Sequence, residues 1–201
     1  MFKYRIALTS CFDEEIYKKS FEYMTNERKD KVIKYKLPEN KKQTLLGEWL
    51  ARNLLCEVSG KSLSDFTIAQ NTQGKPQVVN DPRWHISITH SKDTVAAAIS
   101  DAPIGIDAEE IRPLNMKLSC RFCCDEEIEY IFGHMPTESE LNSIGNGDLL
   151  KRFLRIWTLK EAYFKCADTK ITDFKEINVL KGGFNSMDIS EKQAVVNIVT
   201  F

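Results

Sequence analysis

Apolar and polar residues alternate along KYRIALTS near the start of the chain, which predicts an opening strand. DEEIYKKSFEYMT then places Ile16, Phe21 and Met24 at helical spacing, and NERKDKVIKYKLPE predicts a basic helical stretch halted near Pro38. NKKQTLLGEWLARNLLCEVSG carries the strongest helical stripe of the first half, Leu45, Leu46, Trp49, Leu50 and Leu54, with Gly60 just past its end. A turn is expected at Gly74-Lys75-Pro76. WHISITHS alternates as a strand, and TVAAAISDAPIGIDAEE predicts two strands joined as a hairpin by Asp101-Ala102-Pro103. Beyond it, CCDEEIEYIFG predicts a helix and MPTESELNSIGNGD a loop or surface segment. LLKRFLRIWTLKEAYFKCAD is the longest helical pattern of the second half, and AVVNIVTF a closing strand. Helices and strands mix without strict alternation, so the expected class is α+β. Each half offers one long helix and several strands, which suggests two similar lobes, although no residue-level repeat is visible.

Composition narrows the function classes. Of 201 residues, 42% are hydrophobic and 28% charged, which suffices for a sizeable core without staples. The net charge of −1 gives no whole-molecule field for nucleic acid or an anionic membrane. No apolar run is long enough to span a bilayer, and MFKYRIALTS is too polar for a secretory segment, so a cytoplasmic location is expected. Cys11, Cys56, Cys120, Cys123, Cys124 and Cys166 are then expected to be reduced thiols, because CRFCC lacks the second cysteine pair of a zinc ribbon.

Candidate chemistry begins with GIDAEEI, residues 105–111. On a strand, Asp107 and Glu109 share one face, about 6.5–7 Å apart at Cα. Like charges in that relation repel. Either the face is wet, or a divalent cation joins the two carboxylates, as hard cations take oxygen ligands. In WTLKEAYFK, Glu161 and Lys165 stand at i and i+4 on one helix face, as a surface ion pair or as a second source of catalytic charge. Arg28, Lys31, Lys75 and His90 are scattered basic groups able to frame an anion. The run from Arg28 to Lys42, seven basic residues against two acidic, otherwise reads as a solvated face.

In the order QGKP, ITHS, GIDAEE, WTLKEAYFK, these segments resemble the 4′-phosphopantetheinyl transferase family, in its larger pseudo-dimeric type that activates non-ribosomal peptide synthetases. RKDKVIKYK and QTLLGEWLAR are similar to the family's first half, and the likeness is loosest between Lys117 and Leu150. The resemblance implies two similar α+β lobes related by a pseudo-twofold, residues 1–103 and 104–201, with the active site in the cleft between them. It implies transfer of the phosphopantetheine arm of coenzyme A to a serine of an acyl or peptidyl carrier protein, releasing adenosine 3′,5′-bisphosphate. Asp107, Glu109 and Glu161 would hold Mg²⁺, and Lys165 would steady the departing phosphate. Glu161 is the implied general base, with a metal-bound water as its rival. Arg28, Lys31, Thr44, Lys75, Pro76, Thr89, His90 and Lys160 would hold coenzyme A. Thr89 stands where a serine is usual, Gln43 replaces a more typical arginine, and Ala108 replaces a bulkier β-branched residue. A monomer is expected, with no nucleic-acid or membrane partner. Two other readings stay open: a non-catalytic carrier-binding module, and a metal-dependent nuclease or phosphohydrolase. The helical spacing of Glu161 and Lys165 weighs against the nuclease.

Overall fold

The computed structural model describes residues 1–168, 173–191 and 193–201. The chain opens with strand β1 (Phe2–Leu8), followed by helices α1 (Glu14–Tyr23), α2 (Asn26–Lys34) and α3 (Pro38–Ser59). Pro38 sits at the first helical position of α3 and so starts that helix as well as following the end of α2. Gly60, with φ of 70°, closes it in the left-handed region and donates its N–H to Cys56 O. A small ribbon, β2 (Ile68–Gln70) and β3 (Pro76–Val78), turns at Gly74. Strands β4 (His85–Ser91), β5 (Thr94–Ser100) and β6 (Ile104–Glu110) come next.

The second half adds β7 (Leu114–Asn115), α4 (Ser119–Phe122), α5 (Asp125–Phe132), α6 (Glu138–Leu141) and β8 (Ile144–Gly145). It ends with α7 (Gly147–Ala167), β9 (Asn185–Asp188) and β10 (Ala194–Thr200). Within the segment expected to be a loop, MPTESELNSIGNGD, Thr137 caps the short α6 through a capping box with Glu140.

Two three-stranded antiparallel sheets form, ordered β1-β5-β4 and β6-β10-β9. They repeat one connectivity. A first strand leads through a long helix into a hairpin whose last strand inserts beside the first. The expected hairpin across Asp101–Pro103 does not form. Both edges of β5 are taken, by β1 and β4, so the chain crosses at Asp101–Pro103 to the second sheet and β6 pairs with β10.

Burial follows the two-residue period of the strands. Val95, Ala97 and Ile99 of β5 pack with Leu46, Leu50 and Leu54 under α3. Ala96 and Ala98 face the other way, onto Ile104, Ile106 and Ala108 of β6 and Ala194, Val196 and Ile198 of β10. Val195 and Val199 then meet Phe153, Ala162 and Cys166 of α7. The layers therefore run α3, first sheet, second sheet, α7. The alanines of β5 let the two sheets approach, and each buried Ile or Val behind them contributes about 1.5–3 kcal/mol. With even-numbered residues of β6 committed to the sheet interface, Gly105, Asp107 and Glu109 face α7.

Candidate active site

The site lies where the free edges of the two sheets meet. β6 runs beside β4 in the same direction, but hydroxyl side chains replace a backbone ladder between them. Ser87 Oγ accepts the Ile106 N–H at 3.1 Å, and Ser91 Oγ accepts the Glu110 N–H at 2.9 Å. Between these rungs, Thr89 Oγ1 donates to Asp107 Oδ1 at 3.0 Å. Ser91 also donates to Glu109 Oε2 at 3.1 Å. Residues 87, 89 and 91 project from one face because strand side chains alternate.

α7 brings the remaining charges. Gly105 permits this: a Cβ there would lie 1.9 Å from Ala162 O, so the helix rides directly on the β6 backbone. Lys165 then reaches Asp107 Oδ1 at 2.6 Å and Ile106 O at 3.2 Å. One turn earlier, Glu161 lines the same cleft of about 290 Å³ as Lys165, together with Gly74, Lys75, Pro76, Ser87 and Phe164. Trp157 Nε1 donates to Glu109 Oε1 at 3.2 Å.

Electrostatics couples these groups. Burial pushes the Glu161 carboxyl above the ordinary carboxylate range, and the neighbouring charge of Asp107 adds to it, while Lys165 opposes. Burial, then Asp107, does the same to Glu109. His90 is held below the ordinary imidazole range, first by burial and then by the Lys165 charge. Lys165 is thus the ammonium whose charge acts on Asp107 and Glu161 among the described residues.

The donor set suits a hard divalent cation. Oδ2 of Asp107, a residue only 5% exposed, is buried without a hydrogen-bond partner among the described residues. The carboxylates are not drawn together, however. Among the described residues, no three His, Cys, Asp or Glu side chains converge closely enough to hold a metal. The reason is visible in the contacts: Lys165 neutralises Asp107, and Glu109 turns to the neutral donors Ser91 and Trp157.

The basic residues divide. Lys75 lies at the cleft, 3.4 Å from Asp168 Oδ1 at the end of α7, and His90, near the end of β4, is influenced by the charges of Lys165 and Asp107. Lys31 is exposed on α2 and donates to Gln70 Oε1 at 2.9 Å; Gln70 in turn holds Gly74 O, so Lys31 is tied to the turn that carries Lys75. Arg28 is not brought into this group. Its Nε binds Glu48 Oε2 at 2.8 Å in a buried network with Arg52. Thr44 is half-buried on α3, one turn before Glu48. Gln43 is buried, with its amide on Lys92 O at 2.7 Å, fastening α3 to the β4–β5 turn.

Lys160 departs from its expected role. Its side chain is wholly buried, and its ammonium binds Glu127 Oε2 and the carbonyls of Phe174 and Ile177. Those three partners match its three protons, which leaves none for a phosphate. Ser87 and Ser91 were not among the expected site residues. The period-two run of hydroxyls in HISITHS was the available signal, since a strand with small polar residues on one buried face must satisfy something there.

Comparison with known proteins adds an independent line. Residues 13–101 match the family model for 4′-phosphopantetheinyl transferase, N-terminal, and residues 103–197 match that for the 4′-phosphopantetheinyl transferase superfamily. The chain is 28% identical over 143 residues to the 4′-phosphopantetheinyl transferase psf-1 of Bacillus pumilus, covering 71% of this chain and 57% of that one. It is 32% identical over 142 residues to the transferase gsp of Aneurinibacillus migulanus, covering 71% and 55%. It is 26% identical over 162 residues to Sfp of Bacillus subtilis strain 168, covering 81% and 68%. The chain thus spans little more than half the length of the first two relatives.

Proposed function

Since the chain belongs to the 4′-phosphopantetheinyl transferase superfamily, we propose that it moves the phosphopantetheine arm of coenzyme A onto a serine of an acyl or peptidyl carrier protein. The observation that carries the reading is the meeting of Asp107 from the second sheet with Glu161 and Lys165 from α7, across a cleft whose other wall holds Lys75.

The chemistry assigns each group a task. The carrier serine attacks the β-phosphate of coenzyme A, the bond to the α-phosphate side breaks, and adenosine 3′,5′-bisphosphate leaves. Glu161 receives the serine proton at a carboxylate oxygen. Its raised proton affinity, due first to burial, suits that task. Lys165 carries a rotatable ammonium that neutralises Asp107 in the absence of substrate and meets the charge growing on the phosphate during transfer. Lys75 holds phosphate groups at the cleft wall, with Pro76 beside it, His90 at the end of β4 adds a further phosphate contact, and Lys31 extends the basic rim. Mg²⁺, held by Asp107, Glu109 and Glu161, would supply Lewis-acid stabilisation and a template for the phosphates when bound. The sheet seam and α7 come from one chain, so a monomer suffices, and a cytoplasmic setting suits its substrates. Among the described residues, no helix is long and apolar enough to cross a membrane.

The deciding experiment is the intact mass of a carrier protein after incubation with the chain, coenzyme A and Mg²⁺. A gain of one phosphopantetheine supports the reading. Unchanged carrier with intact coenzyme A refutes transfer and favours a binding module, and unchanged carrier with cleaved coenzyme A favours a phosphohydrolase.

A further inference from the structure

Lys160 and Glu127 form a fully buried charge pair outside the cleft. Both side chains are 0% exposed, and Lys160 Nζ lies 2.7 Å from Glu127 Oε2. Glu127 also accepts the Cys124 N–H at 3.0 Å on Oε2 and the Val179 N–H at 2.9 Å on Oε1. Lys160 gives its other protons to the carbonyls of Phe174 and Ile177. The pair therefore ties α7, the start of α5 and the segment Phe174–Val179 into one unit.

That segment carries Phe174, and the network continues through its ring. Phe174 stacks on Trp157, with centroids 5.3 Å apart and planes 12° apart. Phe122 meets Trp157 edge-on at 4.3 Å, and Phe164 meets Phe174 edge-on at 5.1 Å. The indole plane is thereby fixed, and its N–H is aimed at Glu109 Oε1. Ser91 holds the other oxygen. Partners that orient a ligating carboxylate are worth about 10–100-fold in metal affinity or activity.

We propose that Lys160 and Glu127 are positioning residues: their buried pair clamps Phe174 against Trp157, and Trp157 fixes the Glu109 carboxylate for the cation and phosphates of the reaction. The inference rests on the transferase reading and assigns Lys160 a role away from the substrate. A cation with no proton to spare does not bind phosphate. What it does, through Phe174 and Trp157, is set the angle of one carboxylate.

The test reads the indole directly. In ¹H–¹⁵N spectra, the Trp157 side-chain N–H, assigned by its loss in Trp157→Phe, is expected to move toward the free-indole position in Phe174→Leu and in Lys160→Met. Calorimetric Mg²⁺ affinity is expected to fall about tenfold or more in all three variants. Coenzyme A affinity measured in chelator should stay within about twofold of the parent. Lys160→Met leaves Glu127 buried and unpaired, and should it fail to fold, Phe174→Leu and Trp157→Phe carry the test. An unmoved indole signal in Phe174→Leu overturns the proposal, as does unchanged Mg²⁺ affinity in Trp157→Phe. Loss of coenzyme A affinity in Lys160→Met with the indole unmoved restores Lys160 as a ligand contact. If the parent chain binds neither Mg²⁺ nor coenzyme A, the transferase reading fails, and the indole shift alone then decides whether the clamp exists.

Discussion

Replacing Lys165 by Met removes the one ammonium that binds Asp107 among the described residues, while keeping a side chain of similar length. Lys165 is 31% exposed and Asp107 8% at the side chain, with 2.6 Å between them. Breaking a fully buried pair from one side costs about 3–5 kcal/mol, and a surface pair is worth under about 1. A pair with one partner buried and the other partly wet falls between, at about 2–3 kcal/mol. Thr89 still donates to Asp107, but Oδ2 has no partner among the described residues, so within them the carboxylate is left with one neutral hydrogen bond. For a chain of this size, about 1 kcal/mol shifts the melting temperature by about 2–4 °C, so a drop of about 4–12 °C is expected without divalent cations. Mg²⁺ then substitutes for the missing charge. At a hundred times its dissociation constant, a bound ion adds about 2.7 kcal/mol, and the variant should recover most of its loss. Thermal melts of parent and variant, in chelator and across an Mg²⁺ titration, make the comparison. A variant as stable as the parent in chelator, with no response to Mg²⁺, would show that Lys165 does not balance the carboxylates.

Three further outcomes are expected. Glu109 and Glu161 are both raised by burial, so the parent bears the cost of their charge above their folded values and none of it below about pH 4. Glu109→Gln and Glu161→Gln should therefore stabilise the metal-free chain at pH 7–8, with the gain fading as pH falls toward 4, and denaturant melts across that range check the sign. Lys75→Ala should weaken coenzyme A about 10–100-fold by calorimetry, the value of one charge-assisted phosphate contact, with a smaller effect on the transfer rate. Gly105→Ala forces a Cβ to 1.9 Å from Ala162 O, so α7 must lift; transfer measured by carrier mass should fall about 100-fold or more, at a stability cost of about 1–3 kcal/mol.

The elements legible in the sequence were those whose cause is local. The leucine stripe of α3, its Gly60 stop, and the alternation in HISITHS are all set by near neighbours in the chain, whereas Pro38, read as the halt of the preceding helix, also starts α3. The hairpin at Asp101–Pro103 failed because pairing is a competition. Nothing in TVAAAIS reveals that β1, almost a hundred residues earlier, already holds the edge β6 would need. The same limit applies to the site. Asp107, Glu161 and Lys165 were candidates by spacing, and the family resemblance gave them roles; Lys165 bonds Asp107, and the charge of Asp107 acts on Glu161. Arg28 and Lys160 have the right charge in the right motifs, yet Glu48 and Glu127 engage them. Lys160 has no proton left to offer a phosphate, and the Arg28 Nε is held by Glu48; both outcomes are decided by packing across layers.

The same layering bears on why the chemistry sits at this seam. An edge strand normally must be covered, and β6 is covered by hydroxyls at every second residue of β4 rather than by a continuous ladder. A ladder would have spent the β6 edge on backbone pairing. Hydroxyl rungs leave the intervening carboxylates reachable and hold them with donors that add no charge. The remaining balance falls to Lys165, a group on a flexible stem that can leave Asp107 when a stronger cation or a phosphate arrives. If that is the design, Ser91→Ala should disturb more than one hydrogen bond. It removes the acceptor of the Glu110 N–H and a donor to Glu109 together. A buried N–H left unpaired costs about 1–3 kcal/mol. Ser91→Thr keeps both bonds and should restore stability and Mg²⁺ affinity, measured by melts and calorimetry on the same two variants. Equal losses in Ser91→Ala and Ser91→Thr would trace the effect to space at the seam instead of to the hydroxyl.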